Sequence, residues 1–193
     1  MTEPRQEILM GVWHLIATEG IEAVTFRKVA SAAGVSPGRV QHYFASRREL
    51  VHASVRAMVE ASTEQHVAGH SATTSLAALR DVVVHAIPTA PEARVGLAVW
   101  YAYLARCAAD PVVADIITEA KQGQEAEAAR LLAALGVGDA TQHAREMIAL
   151  ADGLATRVQT GDLTAVDAVA TVEHHLEVAV GAARSLSATA GAS

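Results

Sequence analysis

The chain has 193 residues, of which 51% are apolar and 4% aromatic, a composition that can bury a sizeable core and excludes global disorder. Its single cysteine, Cys107, excludes an intramolecular disulfide, and no stretch approaches the roughly 20 charge-free residues that a membrane span needs. The lack of such a stretch predicts a soluble cytoplasmic protein. Residues 1–56 hold seven basic and five acidic side chains, and residues 57–193 hold eight basic and sixteen acidic ones. This charge asymmetry predicts an N-terminal end that faces nucleic acid.

Four helices are predicted in the N-terminal part of the chain. Every periodic segment of the sequence follows the 3.6-residue period and none alternates like a strand, so we expect an all-α fold. Thr25, Ser36 and Ser46 each stand at the N-cap position before a helix, and Gly20 and Gly34 follow the ends of the first two helices. The four predicted helices span about residues 3–19, 26–33, 37–44 and 47–69.

Five more helices are predicted in the rest of the chain. A polar, turn-rich stretch at 70–75 precedes them, and Pro88 and Pro91 interrupt the pattern between the fifth and the sixth helix. Asp110 and Pro111 separate the sixth helix from the seventh, and the last residues predict a frayed tail. These five helices are expected at about residues 75–87, 93–108, 111–135, 141–160 and 164–186.

The second and third predicted helices have the features of a helix-turn-helix. Gly34 supplies the residue that tolerates a left-handed backbone in the turn between them. Ala30 is small enough to let the two helices pack closely, and Val40 and Phe44 give the second helix of the pair an apolar inner face. Its outer face presents polar side chains that suit a DNA groove: Arg39, Gln41, His42 and Tyr43.

The stretch TFRKVASAAGVSPGRVQHYFASRREL resembles the N-terminal signature of the TetR family of bacterial repressors, and the resemblance covers about residues 6–52. It implies an all-α fold of about nine helices with an N-terminal three-helix, helix-turn-helix DNA-binding domain. It also implies that a fourth helix leads into a larger helical domain for ligand binding and dimerisation. We therefore expect a DNA-binding domain at 1–50, a ligand-binding and dimerisation domain at 51–187 and a flexible tail at 188–193.

The resemblance also implies which residues contact DNA. The start of the second helix corresponds to positions that meet the phosphate backbone, and the start of the third to positions that enter the major groove. Arg39 is expected to read guanine, because a guanidinium can bond O6 and N7 together. Many family members have Tyr at Gln41 and Lys at Arg47, which leaves the role of Gln41 open, whereas Arg47 is expected to bind a phosphate. The expected DNA-binding residues are Thr25, Arg27, Lys28, Ser36, Pro37, Gly38, Arg39, Gln41, His42, Tyr43 and Arg47.

Near the C-terminus, the stretch ALADGLATRVQTGDLTAVDAVATVEHHL is similar to the last two helices of many TetR-type regulators. In that family the two helices pack against their copies in a second subunit. The resemblance therefore implies a homodimer, whose two recognition helices read a palindromic operator in double-stranded DNA. Two apolar stripes are candidates for the dimer interface, and either could instead face the core: Ile148, Ala151, Ala155 and Val158 on one helix, and Val169, Val172, Leu176 and Val180 on the next.

The middle helices carry a candidate pocket, in the region where ligands of the family bind. Aromatic side chains with a few polar groups suit a mainly apolar small molecule. An aromatic stripe at helical spacing is also typical of a core, so both interpretations stay open. The candidate ligand-binding residues are His85, Trp100, Tyr101, Tyr103, Arg106 and Gln122.

No metal, cofactor or catalytic site is expected. His66 and His70 have a spacing that can chelate a metal on one helix face, but Gly69 is expected to end that helix and no third ligand is evident. The sequence has no nucleophile elbow, HExxH, P-loop or dinucleotide fingerprint. We therefore do not expect an enzyme. The resemblance to the TetR family implies a sequence-specific transcription regulator, a repressor that a small molecule releases from its operator. The alternative is a ligand-independent or architectural DNA-binding protein of the same fold.

Overall fold

The computed structural model of the protein describes residues 4–69 and 75–190, with side chains at 4–64 and 75–183. Nine α-helices and one 3₁₀ turn, without a strand, form this described part, which confirms the predicted all-α fold of about nine helices. The 3₁₀ turn, Ile21–Ala23, lies between the first two helices. The helices are α1 (Pro4–Glu19), α2 (Phe26–Ala32), α3 (Pro37–Tyr43), α4 (Arg47–Gly69), α5 (Leu76–Val84), α6 (Pro91–Arg106), α7 (Pro111–Ala134), α8 (Ala140–Thr160) and α9 (Ala165–Ala190).

The predicted caps set the ends of the short N-terminal helices. The Thr25 hydroxyl accepts a hydrogen bond from the backbone N–H of Lys28, and the Ser36 hydroxyl accepts one from that of Arg39. Gly34 has a φ of +66°, the left-handed backbone that the turn between α2 and α3 requires. Because the caps pair amide groups that a helix leaves open at its start, both seven-residue helices begin at fixed positions.

Contacts divide the chain into two compact units, which we call the first and the second unit. The first unit consists of residues 1–64 and 95–119, and the second of residues 65–94 and 120–193. The first unit thus combines α1 to α3 and most of α4 with most of α6 and the start of α7. Its core is shared by these helices, and the fully buried side chains include Ile8, Val12, Val29, Val40, Leu50, Val55, Val99, Tyr103 and Val113.

The second unit is built on the last two helices. α8 and α9 pack against each other, and α5 packs against both. Arg80 of α5 forms an ion pair with Glu173 of α9, and Lys121 of α7 lies 2.7 Å from the Asp152 carboxylate of α8. The buried side chains of this unit include Leu79, Val83, Leu131, Leu132, Met147, Val172 and Leu176.

The last helix is longer than predicted. α9 continues to Ala190, beyond the expected end at Leu186. Residues 188–190 of the expected tail are therefore helical, and residues 191–193 lie outside the described part of the chain. Among the helices of that part, none is long and apolar enough to cross a membrane.

Candidate nucleic-acid interface

The predicted helix-turn-helix is present in α2, α3 and the turn between them. The Val35 N–H donates to the Ala30 carbonyl at 2.9 Å, which closes the turn. Ala30 and Val40 are buried, so the inner faces of both helices pack as predicted. A Cβ on Gly11 would lie 3.2 Å from the Ala33 side chain. This distance shows that α1 passes close to the end of α2, at a point where the sequence has a glycine.

The outer surface of α3 is exposed at most of the positions expected to meet DNA. The exposed residues are Ser36, Pro37, Gly38, Arg39, Gln41 and His42. Tyr43 is half-buried, and its ring packs edge-on against that of His42 with 5.4 Å between the centroids. Within the described part of the chain, no hydrogen bond or ion pair engages the Arg39 guanidinium or the Gln41 amide group. Both side chains are therefore available to a partner in solution.

The three expected residues at the start of α2 are also exposed, and one of them is paired. The Thr25 hydroxyl caps the helix, and Arg27 projects into solvent. Lys28 Nζ lies 2.6 Å from a carboxylate oxygen of Glu19, with both side chains about half exposed. Because an ion pair this exposed contributes little free energy, a phosphate can replace the carboxylate as the partner of Lys28.

Arg47 is held by three contacts within the DNA-binding helices. Its Nε donates to the Val24 carbonyl at 2.7 Å, and its Nη2 donates to the Ile21 carbonyl at 2.8 Å. The same Nη2 lies 3.0 Å from a carboxylate oxygen of Glu22. Arg47 thus fastens the start of α4 to the 3₁₀ turn. The neighbouring Arg48 is exposed and was not among the predicted DNA-binding residues.

Two of the predicted ligand-binding residues on α6 contact residues before or on α4. Tyr103 is fully buried, and its hydroxyl lies 2.7 Å from the Ser54 hydroxyl. Burial raises the pKa of Tyr103, so the hydroxyl stays protonated and acts as a hydrogen-bonding group. Arg106 Nη1 lies 3.0 Å from the other carboxylate oxygen of Glu22. Glu22 therefore binds Arg47 and Arg106 at the same time.

A further contact joins α4 to the start of α7. His52 Nε2 lies 3.0 and 2.9 Å from the two carboxylate oxygens of Asp110. The hydrogen bond with His52 and those from the backbone N–H groups of Val113 and Val112 hold the pKa of Asp110 below its usual range. Sequence analysis missed both members of this pair. The available signal was Asp110 before Pro111, a typical start of a helix.

The six predicted ligand-binding residues do not belong to one unit. Trp100, Tyr101, Tyr103 and Arg106 are in the first unit, whereas His85 and Gln122 are in the second. Trp100 and Tyr101 are half-buried, and His85 is exposed just after α5. Gln122 is exposed in an open groove on α7 and α8, whose other lining residues are Glu125, Ala126, Ala129, Thr141 and Arg145.

Seven of the eight residues predicted for the dimer interface are buried inside the single chain. Val169 is half-buried. The other seven are at most 6% exposed: Ile148, Ala151, Ala155, Val158, Val172, Leu176 and Val180. The two apolar stripes therefore pack within this chain, and the opposite faces of α8 and α9 are the exposed ones.

The two histidines with chelating spacing lie outside the described side chains. His66 is on the part of α4 whose side chains are not described, and His70 lies outside the described residues altogether. Among the side chains described at 4–64 and 75–183, no three of His, Cys, Asp or Glu are grouped as a metal site requires.

A helix-turn-helix with an exposed, polar recognition helix, joined to a second helical unit, defines the class of DNA-binding transcription regulators. Comparison with known families gives the particular family. Residues 8–54 match the bacterial regulatory proteins of the tetR family, and residues 75–181 match the C-terminal part of BetI-type transcriptional repressors. The chain belongs to the TetR family of transcriptional regulators, which confirms the resemblance found in its sequence.

Two curated relatives are similar over part of their length. The HTH-type regulator BetI of Rhizobium meliloti is 31% identical over 103 residues, which are 51% of this chain and 49% of that protein. The HTH-type regulator PksA of Bacillus subtilis is 27% identical over 103 residues, which are 52% of this chain and 50% of that protein. The chain thus spans about half the length of the curated relatives it matches.

Solved structures are similar over nearly the whole chain. A transcriptional regulator from Rhodococcus sp. Rha1 has a TM-score of 0.77 at 24% identity, covering 94% of this chain and 96% of its own. A candidate transcriptional regulator from Saccharomonospora viridis, solved in complex with choline, has a TM-score of 0.76 at 27% identity, with coverages of 92% and 95%. The multidrug binding protein EbrR, complexed with ethidium, has a TM-score of 0.66 at 24% identity, with coverages of 90% and 98%.

Proposed function

We propose that this TetR-family regulator is a homodimeric repressor that binds a palindromic operator in double-stranded DNA and leaves it when a small molecule binds. The observation that carries the proposal is the exposed face of α3, where Arg39 and Gln41 are available while Val40 anchors the inner face. A helix of two turns reads too few base pairs to be selective. Two copies related by a two-fold axis read half-sites about 34 Å apart, or a multiple of that distance.

Within this interface, Arg39 is the base-reading residue. Its exposed guanidinium can bond O6 and N7 of guanine at once. Gln41 is exposed on the same short helix and suits adenine, whose N6 and N7 an amide group bonds in a similar way. The exposed cations of α2 contact phosphates. Arg48, exposed at the start of α4, takes the phosphate-binding role that the family pattern gives to Arg47.

The proposed dimer interface lies on the outer faces of α8 and α9. Since the predicted apolar stripes are buried within one chain, the partner must cover other residues. Exposed residues recur there at intervals of three or four: Ala149, Gly153 and Thr156 on α8, and Ala170, His174 and Val178 on α9. Small side chains allow close helix approach, and Val178 is an exposed apolar side chain that a second copy would cover.

The proposed ligand is a mainly apolar small molecule. All seven Phe, Trp and Tyr residues precede residue 104. Tyr103 is buried and bonded to Ser54, and the middle helices carry two other aromatic side chains, Trp100 and Tyr101. An aromatic cage around a quaternary ammonium group needs several such rings. For this reason we propose an apolar ligand, although solved structures of the same fold contain choline and ethidium.

Selection from a pool of randomised DNA, followed by anisotropy binding to the selected sequence, tests the proposal. We expect the intact protein to select a palindrome. Arg39→Ala should weaken binding by about 1–3 kcal/mol per half-site and relax the preference at one position of each, because each subunit loses a bidentate base contact. Arg94→Ala removes an exposed arginine from α6, outside the DNA-binding helices, and should bind like the intact protein. If no palindrome is selected and Arg39→Ala binds equally well, the proposed function is wrong.

A ligand-independent regulator is the second candidate, favoured by the burial of Tyr103, which bonds Ser54 in the core of the first unit. A small molecule that binds the folded protein raises its melting temperature. If compounds that do so leave operator binding unchanged, the protein represses without a ligand, whereas the proposed repressor is released by at least one of them.

A further inference from the structure

One segment at the end of α6 and the start of α7, Tyr103–Asp110, makes three polar contacts with the DNA-binding part of the chain. The contacts are Tyr103 with Ser54, Arg106 with Glu22, and Asp110 with His52. We infer that these six residues form a polar latch that holds the recognition helix in one position relative to this segment. The latch residues are thus positioning residues for operator binding, and the inference rests on the operator binding proposed above.

The burial of the latch argues for a positioning role. Among the side chains that the structure describes, Ser54 and Asp110 are the two polar ones that are buried. Burying a hydroxyl or a carboxylate is unfavourable unless it is hydrogen-bonded, and apolar residues of similar volume often stabilise a core equally well. A buried polar pair instead favours one alignment of two elements, because a shift breaks the hydrogen bond between its members. The Ser54 hydroxyl then keeps only its bond to the Val51 carbonyl, and Asp110 only those from the backbone N–H groups of Val112 and Val113. Here the aligned elements are α4 and the segment Tyr103–Asp110.

The three contacts differ in strength. The His52 and Asp110 side chains are 18% and 10% exposed, and the histidine bonds both carboxylate oxygens. Glu22 is 74% exposed, so its pair with Arg106 contributes little free energy by itself. Its importance is its position, because the other oxygen of Glu22 bonds Arg47 at the start of α4. We therefore regard His52 with Asp110 as the anchor of the latch and Glu22 as its link to the 3₁₀ turn.

The latch affects DNA binding through orientation. α3 and α4 share one core, in which Val40 and Leu50 are both fully buried, so a displacement of α4 moves the recognition helix. Loss of the latch removes no DNA-contacting side chain, but it allows the recognition helix to adopt several orientations. Affinity then falls in proportion to the fraction of molecules in the binding-competent orientation. The number of phosphate contacts in the complex stays the same.

Asp110→Ser tests the latch, because serine still caps α7 but is too short to reach His52. Asp115→Ser is the matched control, since it changes the charge by the same amount at an exposed position of the same helix. With the operator selected by the intact protein, we expect Asp110→Ser to weaken binding about tenfold and Asp115→Ser to change it less than about twofold. The dependence of log affinity on log salt should keep its slope in Asp110→Ser, whereas Arg48→Ala should reduce the magnitude of that slope by about 2, or about 1 for each subunit of the proposed dimer.

A second variant separates the latch from a general loss of structure. His52→Ala should match Asp110→Ser, and the double variant should bind no more weakly than either single one, because both remove the same contact. Melting curves and titration of the DNA-binding fraction measure how much of each variant is folded. The latch is overturned if the single variants bind like Asp115→Ser, if their loss equals the unfolded fraction, or if their salt slope falls. If the intact protein selects no operator, the proposed function fails first, and the latch fails with it.

Discussion

Two adjacent arginines at the start of α4 have different environments. Arg47 donates to the carbonyls of Ile21 and Val24, whereas Arg48 is exposed. The family pattern has Lys at the position of Arg47, and a lysine ammonium is a flexible point charge without the planar fork of a guanidinium. The substitution that preserves the charge therefore allows Arg47 to brace the 3₁₀ turn, and for this reason the proposed phosphate contact is assigned to Arg48.

The Asp110 carboxylate predicts how stability depends on pH. Its hydrogen bond with His52 is the main reason that its pKa is lowered in the folded protein. A lowered carboxyl pKa stabilises the fold above the pKa of the unfolded chain, and this contribution is lost as the pH falls through the folded-state value. Urea unfolding should therefore show intact protein more stable than Asp110→Ser near about pH 6, with the difference gone by about pH 2. A difference that persists in acid would contradict this assignment; Asp115→Ser serves as the reference.

At the scale of elements, the sequence predicted the features whose signals are local. The hydroxyl of Ser46 accepts the backbone N–H of Glu49, as its predicted N-cap position requires, and the Glu49 carboxylate accepts the N–H of Ala45. Helix ends, caps and the helix-turn-helix all depend on residues within a few positions of each other. The His52 and Asp110 pair joins residues 58 positions apart, so no local pattern could reveal it.

The apolar stripes of α8 and α9 illustrate a second limit of sequence analysis. Helical periodicity predicted correctly that residues such as Ala155 and Leu176 share an apolar face, and both are buried. Periodicity does not tell which neighbour buries that face. The same limit applies to Tyr103, where an aromatic side chain on a middle helix suited both a pocket and a core. Its burial and its bond to Ser54 depend on tertiary packing, which local sequence does not reveal.

The approach of α1 to α2 predicts opposite effects for two glycine substitutions. Gly11→Ala places a methyl group 3.2 Å from the Ala33 side chain and 3.3 Å from the Val29 carbonyl, which cannot move without shifting α2. We expect it to lower the free energy of unfolding by about 1 kcal/mol, since overpacking outweighs the gain in helix propensity. Gly123→Ala on α7 meets no atom within 4 Å and should stabilise by up to about 1 kcal/mol. Denaturant titrations measure both, and equal shifts in one direction would refute the close approach.

At the scale of the whole molecule, the proposed dimer makes DNA binding by the first unit depend on subunit contacts made by the second. The acidic C-terminal part of the chain repels DNA, so only the N-terminal helices are suited to approach it. In the proposed dimer, binding to a palindromic operator depends on contacts on the outer faces of α8 and α9, which are far along the chain from the recognition helix. The stability of the dimer and the affinity for DNA are therefore linked.

Val178→Glu tests the proposed dimer surface by placing a charge in it. Val178 is 57% exposed on α9, and burying an unpaired carboxylate against a second copy is unfavourable. We expect the variant to sediment as a monomer at concentrations where the intact protein is a dimer, and to bind the operator at least about tenfold more weakly. Val95→Glu changes a valine that is 52% exposed on α6 and should leave the dimer intact. A dimeric Val178→Glu protein would show that another surface is used.

The placement of the two tryptophans gives the molecule a native optical reporter. Trp13 donates its indole N–H to the Ser54 carbonyl at 3.1 Å, and Trp100 packs against the same core. Both belong to the first unit, so the tryptophan emission of the unlabelled protein originates in the first unit and not in the second. If a compound binds among α5, α8 and α9 and the emission changes, the change reports a structural effect on the first unit, in real time and without a dye.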